Sequence, residues 1–181
     1  GRKHTVRNSG LLYNPASSHS QIAATRYEQS GESFLDLIGS HTGKTIRSFQ
    51  APDSLQILEP VWIGDDIYVT AISDNGYGIY RISIDDNLQT TDGWKTVLEP
   101  QPVRIKDFYA KDDQLMFTCD RTGVNELYHL DPATRKLVQK TSTRYGAEDF
   151  QYIGDWLYYS SQTLDGKKIY RTKVDSLMNK A

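Results

Sequence analysis

The chain has 181 residues, of which 21 are Lys or Arg and 23 are Asp or Glu, so its formal net charge is −2 at pH 7. This near-neutral balance excludes nucleic-acid binding that depends on overall basicity. A single cysteine, Cys119, excludes an internal disulfide. No stretch approaches the ~20 apolar residues needed to cross a bilayer, so no membrane span is expected.

A fourfold internal repeat organises the sequence. Its turn glycines are separated by 45, 47 and 43 residues and are Gly31, Gly76, Gly123 and Gly166. Each glycine lies between two short alternating segments, at 22–25 and 34–37, 67–70 and 79–82, 115–118 and 127–130, and 157–160 and 169–172. Such runs, joined by Gly and Asp turns, are typical of antiparallel meanders.

Four-stranded meanders that repeat every ~40–45 residues predict an all-β fold, a β-propeller made of meander blades. In chain order we expect an outer strand at 2–7 and then four blades of a single propeller-type domain, approximately at 8–58, 59–104, 105–149 and 150–181. The innermost strands are predicted to carry Tyr13, Trp62, Tyr109 and Tyr152. The similar segments 57–60 and 97–100 both end in proline, which suits a strand end, and are predicted to connect blades.

The third copy resembles the repeat of the TolB-like propeller family. Residues 118–131, which read TCDRTGVNELYHLD, are similar to that family's pattern of Ser/Thr-x-Asp-Arg, then Gly, then Leu/Ile-Tyr-x-x-Asp. The following turn, 131–136, is similar to the family's Asp-x-x-Thr-Gly-Lys turn, with Arg135 where Gly is usual. The resemblance implies six-bladed rings, so we expect these four blades to belong to a larger ring, the alternative being a ring closed by four.

Motifs for catalysis and metal binding are absent from the sequence. There is no nucleophile elbow, Walker loop, His-Glu-x-x-His or Cys-x-x-Cys pattern. Cys119 beside Asp120 and His129 on a strand are both expected to be structural, and the paired Asp residues fall at turns, where Asp is common. The sequence therefore predicts no catalytic residue, no metal site and no cofactor.

Strand alternation gives one functional expectation. The loops between the second and third strands of a blade must emerge on the same face as the connectors between blades. That face is predicted to carry a mixture of Arg, Tyr, Asp and Asn, a composition typical of recognition surfaces, in Arg26, Asp74, Asn75, Tyr77, Arg121, Asn125, Arg144 and Tyr145.

These observations favour a non-enzymatic binding or scaffold module that engages its partner through this loop face. The partner is expected to be a protein, with a peptide or a carbohydrate as alternatives and nucleic acid excluded. The alternative function is the propeller portion of a larger hydrolase, a peptidase or a carbohydrate-active enzyme, whose catalytic residues are outside this chain. The TolB-like resemblance also implies a periplasmic or extracytoplasmic location.

Overall fold

The computed structural model describes residues 11–18 and 20–180, so the outer strand predicted at 2–7 lies outside the described residues. The described residues form fifteen strands arranged in four antiparallel sheets. They divide into two compact units, one ending at Pro102 (unit 1) and the other beginning at Val103 (unit 2).

Unit 1 contains two four-stranded meanders whose strands pair in chain order. The strands of the first sheet are β1 (Leu11–Ser17), β2 (Gln21–Tyr27), β3 (Ser33–Gly39) and β4 (Thr45–Gln50). Those of the second sheet are β5 (Gln56–Ile63), β6 (Asp66–Ser73), β7 (Gly76–Ile84) and β8 (Thr90–Gln101).

Unit 2 contains one four-stranded and one three-stranded meander. The first comprises β9 (Ile105–Lys111), β10 (Gln114–Cys119), β11 (Glu126–Leu130) and β12 (Leu137–Gln139). The second comprises β13 (Glu148–Ile153), β14 (Trp156–Thr163) and β15 (Gly166–Lys173). A 3-10 turn at Val174–Ser176 follows, and Lys180 then pairs with Gln139 at the edge of β12.

Apolar residues of neighbouring sheets form the core within each unit. In unit 1, Leu35 and Leu37 of the first sheet pack with Ile67 and Val69 of the second, and all four are fully buried. Trp62 packs against this cluster, and its indole Nε1 donates a hydrogen bond to the Ala16 carbonyl oxygen at 3.1 Å. Trp62 thus links the two sheets of unit 1, as expected for an aromatic residue that packs between blades.

The core of unit 2 repeats the same arrangement with different residues. Met116 and Leu127 of the third sheet pack with Leu157 of the fourth, and all three are buried. Phe150, Tyr152 and other half-buried side chains surround this cluster. Because aliphatic burial contributes about 25 cal/mol per Å², these contacts between sheets are a main source of stability in each unit.

The two proline-containing segments are strands rather than connectors between sheets. Pro60 lies inside β5, where the pairing with β6 shifts between Ile57 and Pro60, and Pro100 lies inside the long β8. Both strands are at the edges of their sheet, where a missing backbone N–H is tolerated, and the bulge accommodates Pro60. The connector between the first two sheets is therefore 51–55.

Every innermost strand has a bulge beside a buried hydroxyl group of the second strand. The hydroxyls occupy the same place in the four repeats and belong to Thr25, Thr70, Thr118 and Ser160. In unit 2 the bulges place Asp107 and Asp149 in the left-handed backbone region, at φ of 53° and 52°. Thr118 Oγ1 and Ser160 Oγ donate hydrogen bonds to these two carboxylates at 2.9 and 2.5 Å.

Candidate functional site

Three chain segments meet at one end of unit 1. They are the β2–β3 loop (28–32), the β4–β5 connector (51–55) and the β6–β7 turn (74–75), and we call this the loop end of unit 1. A cavity of about 550 Å³ lies between the loop and the connector, and one of about 360 Å³ lies between the connector and the turn. The connector is thus flanked by open clefts on both sides.

Asp74 and Asn75 are exposed in the tight β6–β7 turn and line the smaller cleft. The turn requires Gly76, which has φ of +105° and approaches the backbone so closely that a Cβ would lie 1.9 Å from the Gln101 carbonyl oxygen. Tyr77 is half-buried and lies at the base of the turn, where it pairs with Ile72 and Gln101.

Arg26 lies within β2 and is buried, rather than exposed on a loop. Its Nε donates a hydrogen bond to Asp36 Oδ2 at 2.7 Å, another guanidinium nitrogen pairs with Glu28, and the guanidinium carbon is 4.2 Å from the Phe34 ring centroid. Because Asp36 is fully buried, this ion pair holds the β2–β3 hairpin together internally. Arg26 therefore stabilises the hairpin that carries the β2–β3 loop and is not itself part of the exposed surface.

The loop end of unit 1 carries acidic residues but no basic ones. This loop end and the strand ends beside it, taken together as 27–34, 51–58, 73–78 and 97–102, contain no Lys or Arg. They contain five acidic residues, which are Glu28, Glu32, Asp53, Asp74 and Glu99. Of these five, Glu28 alone forms an ion pair within the described residues, with Arg26. The rim of the clefts is therefore negatively charged at neutral pH and attracts cationic groups.

The corresponding end of unit 2 is formed by the β10–β11 loop (120–125) and the β12–β13 connector (140–147), which we call the loop end of unit 2. The Ala147 amide donates a hydrogen bond to the Asn125 carbonyl oxygen at 2.6 Å, and Ser161 Oγ donates to the Gly146 carbonyl oxygen at 2.5 Å. The connector is thereby fixed to both sheets of unit 2.

The structure brings the four predicted residues of unit 2 to this loop end. Arg121 and Arg144 are exposed, and the Arg144 guanidinium carbon is 5.2 Å from the ring centroid of Tyr145, which is itself 42% exposed. Asn125 is half-buried and its Nδ2 donates a hydrogen bond to Glu148 Oε1 at 2.5 Å. Arg144 and Tyr145 thus form an exposed cation–π pair on a fixed connector.

Glu126 fixes that connector and was not anticipated from the sequence. Its carboxylate is buried, and it accepts hydrogen bonds from Thr141 Oγ1 at 2.5 Å and from the amide and hydroxyl of Thr143 at 2.5 and 2.9 Å. In the sequence, Glu126 is one residue of an alternating strand, at a position where the pattern predicts a polar side chain exposed to solvent. A buried carboxylate can be recognised only once its hydrogen-bond donors, fifteen or more residues away, are known.

Glu148 and Asp149, two adjacent carboxylates of β13, can be compared with what the carbohydrate-active alternative requires. Lys106 Nζ is 2.7 Å from Glu148 Oε1, and Lys167 Nζ is 2.6 Å from Asp149 Oδ2. The hydrogen bond from Lys106 lowers the pKa of Glu148, and hydrogen bonds from Lys167 and Ser160 lower the pKa of Asp149. A glycosidase needs one carboxyl with a raised pKa as a proton donor, and both of these favour the ionised form.

Cys119, the one cysteine of the chain, is buried. Burial raises the pKa of the Cys119 thiol, which disfavours the nucleophilic thiolate. No cluster of three or more His, Cys, Asp or Glu side chains suited to a metal ion occurs in residues 11–18 and 20–180. Within the same residues, no helix is long and apolar enough to cross a membrane.

No protein-family model and no curated protein matches this sequence, but solved structures do. TolB from Acinetobacter baumannii superimposes with a TM-score of 0.68 at 16% identity, over 93% of this chain and 42% of that one. A putative TolB from Agrobacterium tumefaciens gives 0.61 at 16% identity, over 88% and 60%. A puromycin-hydrolyzing peptidase of Mycobacterium tuberculosis gives 0.71 at 14% identity, over 98% and 30%.

These similarities concern the fold, because the sequence identities are low. The chain spans less than two thirds of the length of each of these proteins, and each of them matches at least 88% of the chain. The resemblance to TolB-like repeats noted in the sequence is confirmed at the level of structure. The chain has an all-β fold of antiparallel meander blades, the β-propeller fold of TolB and of peptidase propeller domains.

Proposed function

We propose that this chain is a non-enzymatic binding module that engages a protein partner through its loop ends, with the clefts of unit 1 as the principal contact. The observation that carries the proposal is the pair of cavities, about 550 and 360 Å³, on either side of the β4–β5 connector. Clefts of this size admit side chains of a partner, and loops on a rigid sheet scaffold are common binding sites.

The chemistry of these clefts favours a partner segment that carries Lys or Arg. Pro52, Leu55, Tyr80 and Pro100 provide apolar contact surface in the smaller cleft, beside the exposed carboxylate of Asp74. The rim has no cation of its own. A neutral or acidic partner segment would leave these carboxylates without a counter-charge, whereas a basic segment would associate faster and pair with them.

The floor of these clefts is held in place by hydrogen bonds between the two sheets of unit 1. The Ile57 amide donates to Ser33 Oγ at 3.0 Å, and the Tyr27 hydroxyl donates to the Ile57 carbonyl oxygen. Ser33 is buried, so this link is shielded from water. A preformed cleft loses little conformational entropy on binding, which supports a recognition role.

The loop end of unit 2 supports the same proposal with a different chemistry. Tyr and Arg are enriched at the energetically dominant positions of protein interfaces, and Arg144 and Tyr145 project from a connector that Glu126 fixes.

The proposal includes an extracytoplasmic location, which is expected from the resemblance to TolB-like repeats.

Site-specific photo-crosslinking tests the location of the binding surface. A photoreactive phenylalanine analogue at Gln56, an exposed residue that lines the larger cleft, is expected to capture a partner protein. The matched control carries the analogue at Asp86, an exposed residue of the β7–β8 turn. Capture from Asp86 and not from Gln56 would contradict the proposal.

A second candidate function is the propeller portion of a larger peptidase. The observation in its favour is the match to the puromycin-hydrolyzing peptidase, which covers 98% of this chain but 30% of that protein. The test is the complete coding sequence: a downstream serine-hydrolase domain would favour this candidate. If such a domain is present, cleavage of peptide amides by the full-length protein would establish the activity, and a Ser-to-Ala variant would be the control.

A further inference from the structure

A cavity of about 360 Å³ lies at the end of unit 2 opposite its loop end. It is bounded by the β9–β10 and β13–β14 turns and by the segment that follows β15. Its apolar wall consists of Met116, Tyr152, Val174 and Leu177. Three basic or imidazole side chains, Lys111, His129 and Lys140, complete the lining together with carboxylates at the rim. An apolar wall with a few polar groups is the usual construction of a small-molecule site.

His129 is central to the polar part of this cavity. It lies on β11, half-buried, and its Nε2 is 3.0 Å from the Tyr152 hydroxyl oxygen. Lys111 Nζ is 5.4 Å from the centroid of the same Tyr152 ring, so the ammonium also lies next to this wall. The imidazole and the ammonium thus both lie next to Tyr152, in a cavity that the buried Met116 also lines.

The electrostatic environment of His129 is positive. Burial, Lys140 and Lys111 together lower its pKa to about 4, so the imidazole is neutral at pH 7. Three carboxylates surround the opening: Asp112, which pairs with Lys111, and the exposed Asp155 and Asp175.

Lys140 has no carboxylate partner among the described residues. Its Nζ donates a hydrogen bond to the neutral amide oxygen of Asn179, and burial and Lys136 lower its pKa. Among the described residues, no carboxylate offsets the desolvation of this ammonium. An anion beside Lys140 and Lys111 would place an opposite charge next to both ammonium groups, of which Lys111 already contacts Asp112.

We propose that this cavity binds a small organic carboxylate, with its anionic group between Lys111 and Lys140 and its apolar body against Met116, Tyr152 and Leu177. A single negative charge fits better than a phosphate dianion, because Asp112, Asp155 and Asp175 at the opening repel a higher charge. The carboxylate belongs either to a free acid or to the C-terminus of a peptide, since the two share the recognised group. This site is separate from the loop ends described above.

The test uses NMR of the Cε1–H resonance of His129, assigned by its loss in His129→Gln. Benzoate is the probe, and benzamide, which has the same shape without the charge, is the control. Benzoate is expected to raise the apparent pKa of His129 by at least about 0.5, because the bound anion offsets the two ammonium groups. Benzamide is expected to leave it unchanged. An equal response to both compounds, or none to benzoate at tens of millimolar, would overturn the proposal.

Two lysine variants locate the anion, and each is checked for folding by its backbone NMR spectrum. Lys140→Met and Lys111→Met are each expected to weaken benzoate binding about tenfold, as loss of a charged hydrogen bond predicts. Lys44→Met is the matched control, because Lys44 is an exposed residue of unit 1 and does not line the cavity. Equal affinity of the Lys140, Lys111 and Lys44 variants would refute the assignment.

A second pair of probes separates the two sources of the carboxylate. N-acetyl-phenylalanine and N-acetyl-phenylalanine amide differ only in the terminal charge. Tighter binding of the former than of benzoate supports a peptide C-terminus, and weaker binding supports a free acid. If the amide binds as tightly as N-acetyl-phenylalanine, charge is not what the cavity recognises and the proposal fails.

Discussion

Equivalent residues of the repeat have very different environments. Leu35 pairs with Thr25, Leu127 with Thr118 and Ile169 with Ser160, so all three hold the same place in their sheets. Leu35 and Leu127 are 0% exposed, whereas Ile169 is 81% exposed. The side chain alone therefore does not determine burial, because a sheet face is buried only where another sheet packs on it.

This difference predicts unequal effects of the same substitution. Leu127→Ala is expected to lower the free energy of unfolding by about 3 kcal/mol, since it removes buried contacts and leaves a cavity. Ile169→Ala is expected to change it by less than about 0.5 kcal/mol, because the side chain is exposed. Urea denaturation of the two variants checks this, and equal losses would contradict the placement of Ile169.

His129 gives a prediction for the pH dependence of stability. Its pKa is about 4 in the folded chain, below the ordinary value of 6.5. Between these values the unfolded chain binds a proton that the folded chain does not, so stability is expected to fall as pH falls from about 6.5 to about 4. Thermal denaturation should show this slope, and His129→Gln should reduce it. A slope that is the same in both proteins would disprove the assignment to His129.

At the scale of elements, hydrogen bonds to side chains add to the backbone hydrogen bonds that hold the connectors. The β12–β13 connector has no strand of its own, and its Thr141 and Thr143 bind the buried carboxylate of Glu126. Ser33 has a comparable role in unit 1, where it accepts a hydrogen bond from Ile57. Such contacts make the loop ends firm enough to present a recognition surface.

Removal of Glu126 is expected to loosen its connector. Glu126→Ala leaves the Thr143 amide and the Thr141 hydroxyl without their acceptor, at a cost of about 1–3 kcal/mol. Hydrogen exchange followed by mass spectrometry should show faster exchange in peptides that cover 141–147. Glu148→Ala is the control. It removes a half-buried ion pair with Lys106 and the hydrogen bond from Asn125 but no bond to Thr141 or Thr143, so it should have a smaller effect on that segment. Unchanged protection in Glu126→Ala would mean that the connector is held by other contacts.

The elements themselves could largely be predicted from the sequence. Alternating segments and Gly turns gave the second and third strands of each sheet, because a tight turn fixes the register of its hairpin. The bulges of the innermost strands and the strand positions of Pro60 and Pro100 could not be predicted, since a bulge depends on the partner strand. The buried roles of Arg26 and Glu126 depend likewise on charges and donors that only the folded chain brings together.

At the scale of the molecule, the repeat and the TolB-like motif predicted the fold class, and the solved structures with TM-scores of 0.61 to 0.71 confirm it. The single propeller domain and its blade boundaries stay predictions, and the described residues divide into two compact units. Function could not be predicted to the same depth, because TolB proteins and peptidases share this fold and a fold does not determine an activity.

The affinity for the captured partner is the most direct test of binding through the loop end of unit 1. Asp53→Asn/Asp74→Asn removes two charges at this loop end, and Asp65→Asn/Asp86→Asn removes two at the turns of the opposite end. Isothermal titration calorimetry should show about tenfold weaker binding for the first pair, with a smaller salt dependence, and nearly unchanged binding for the second. Equal affinity of the two double variants would contradict the account.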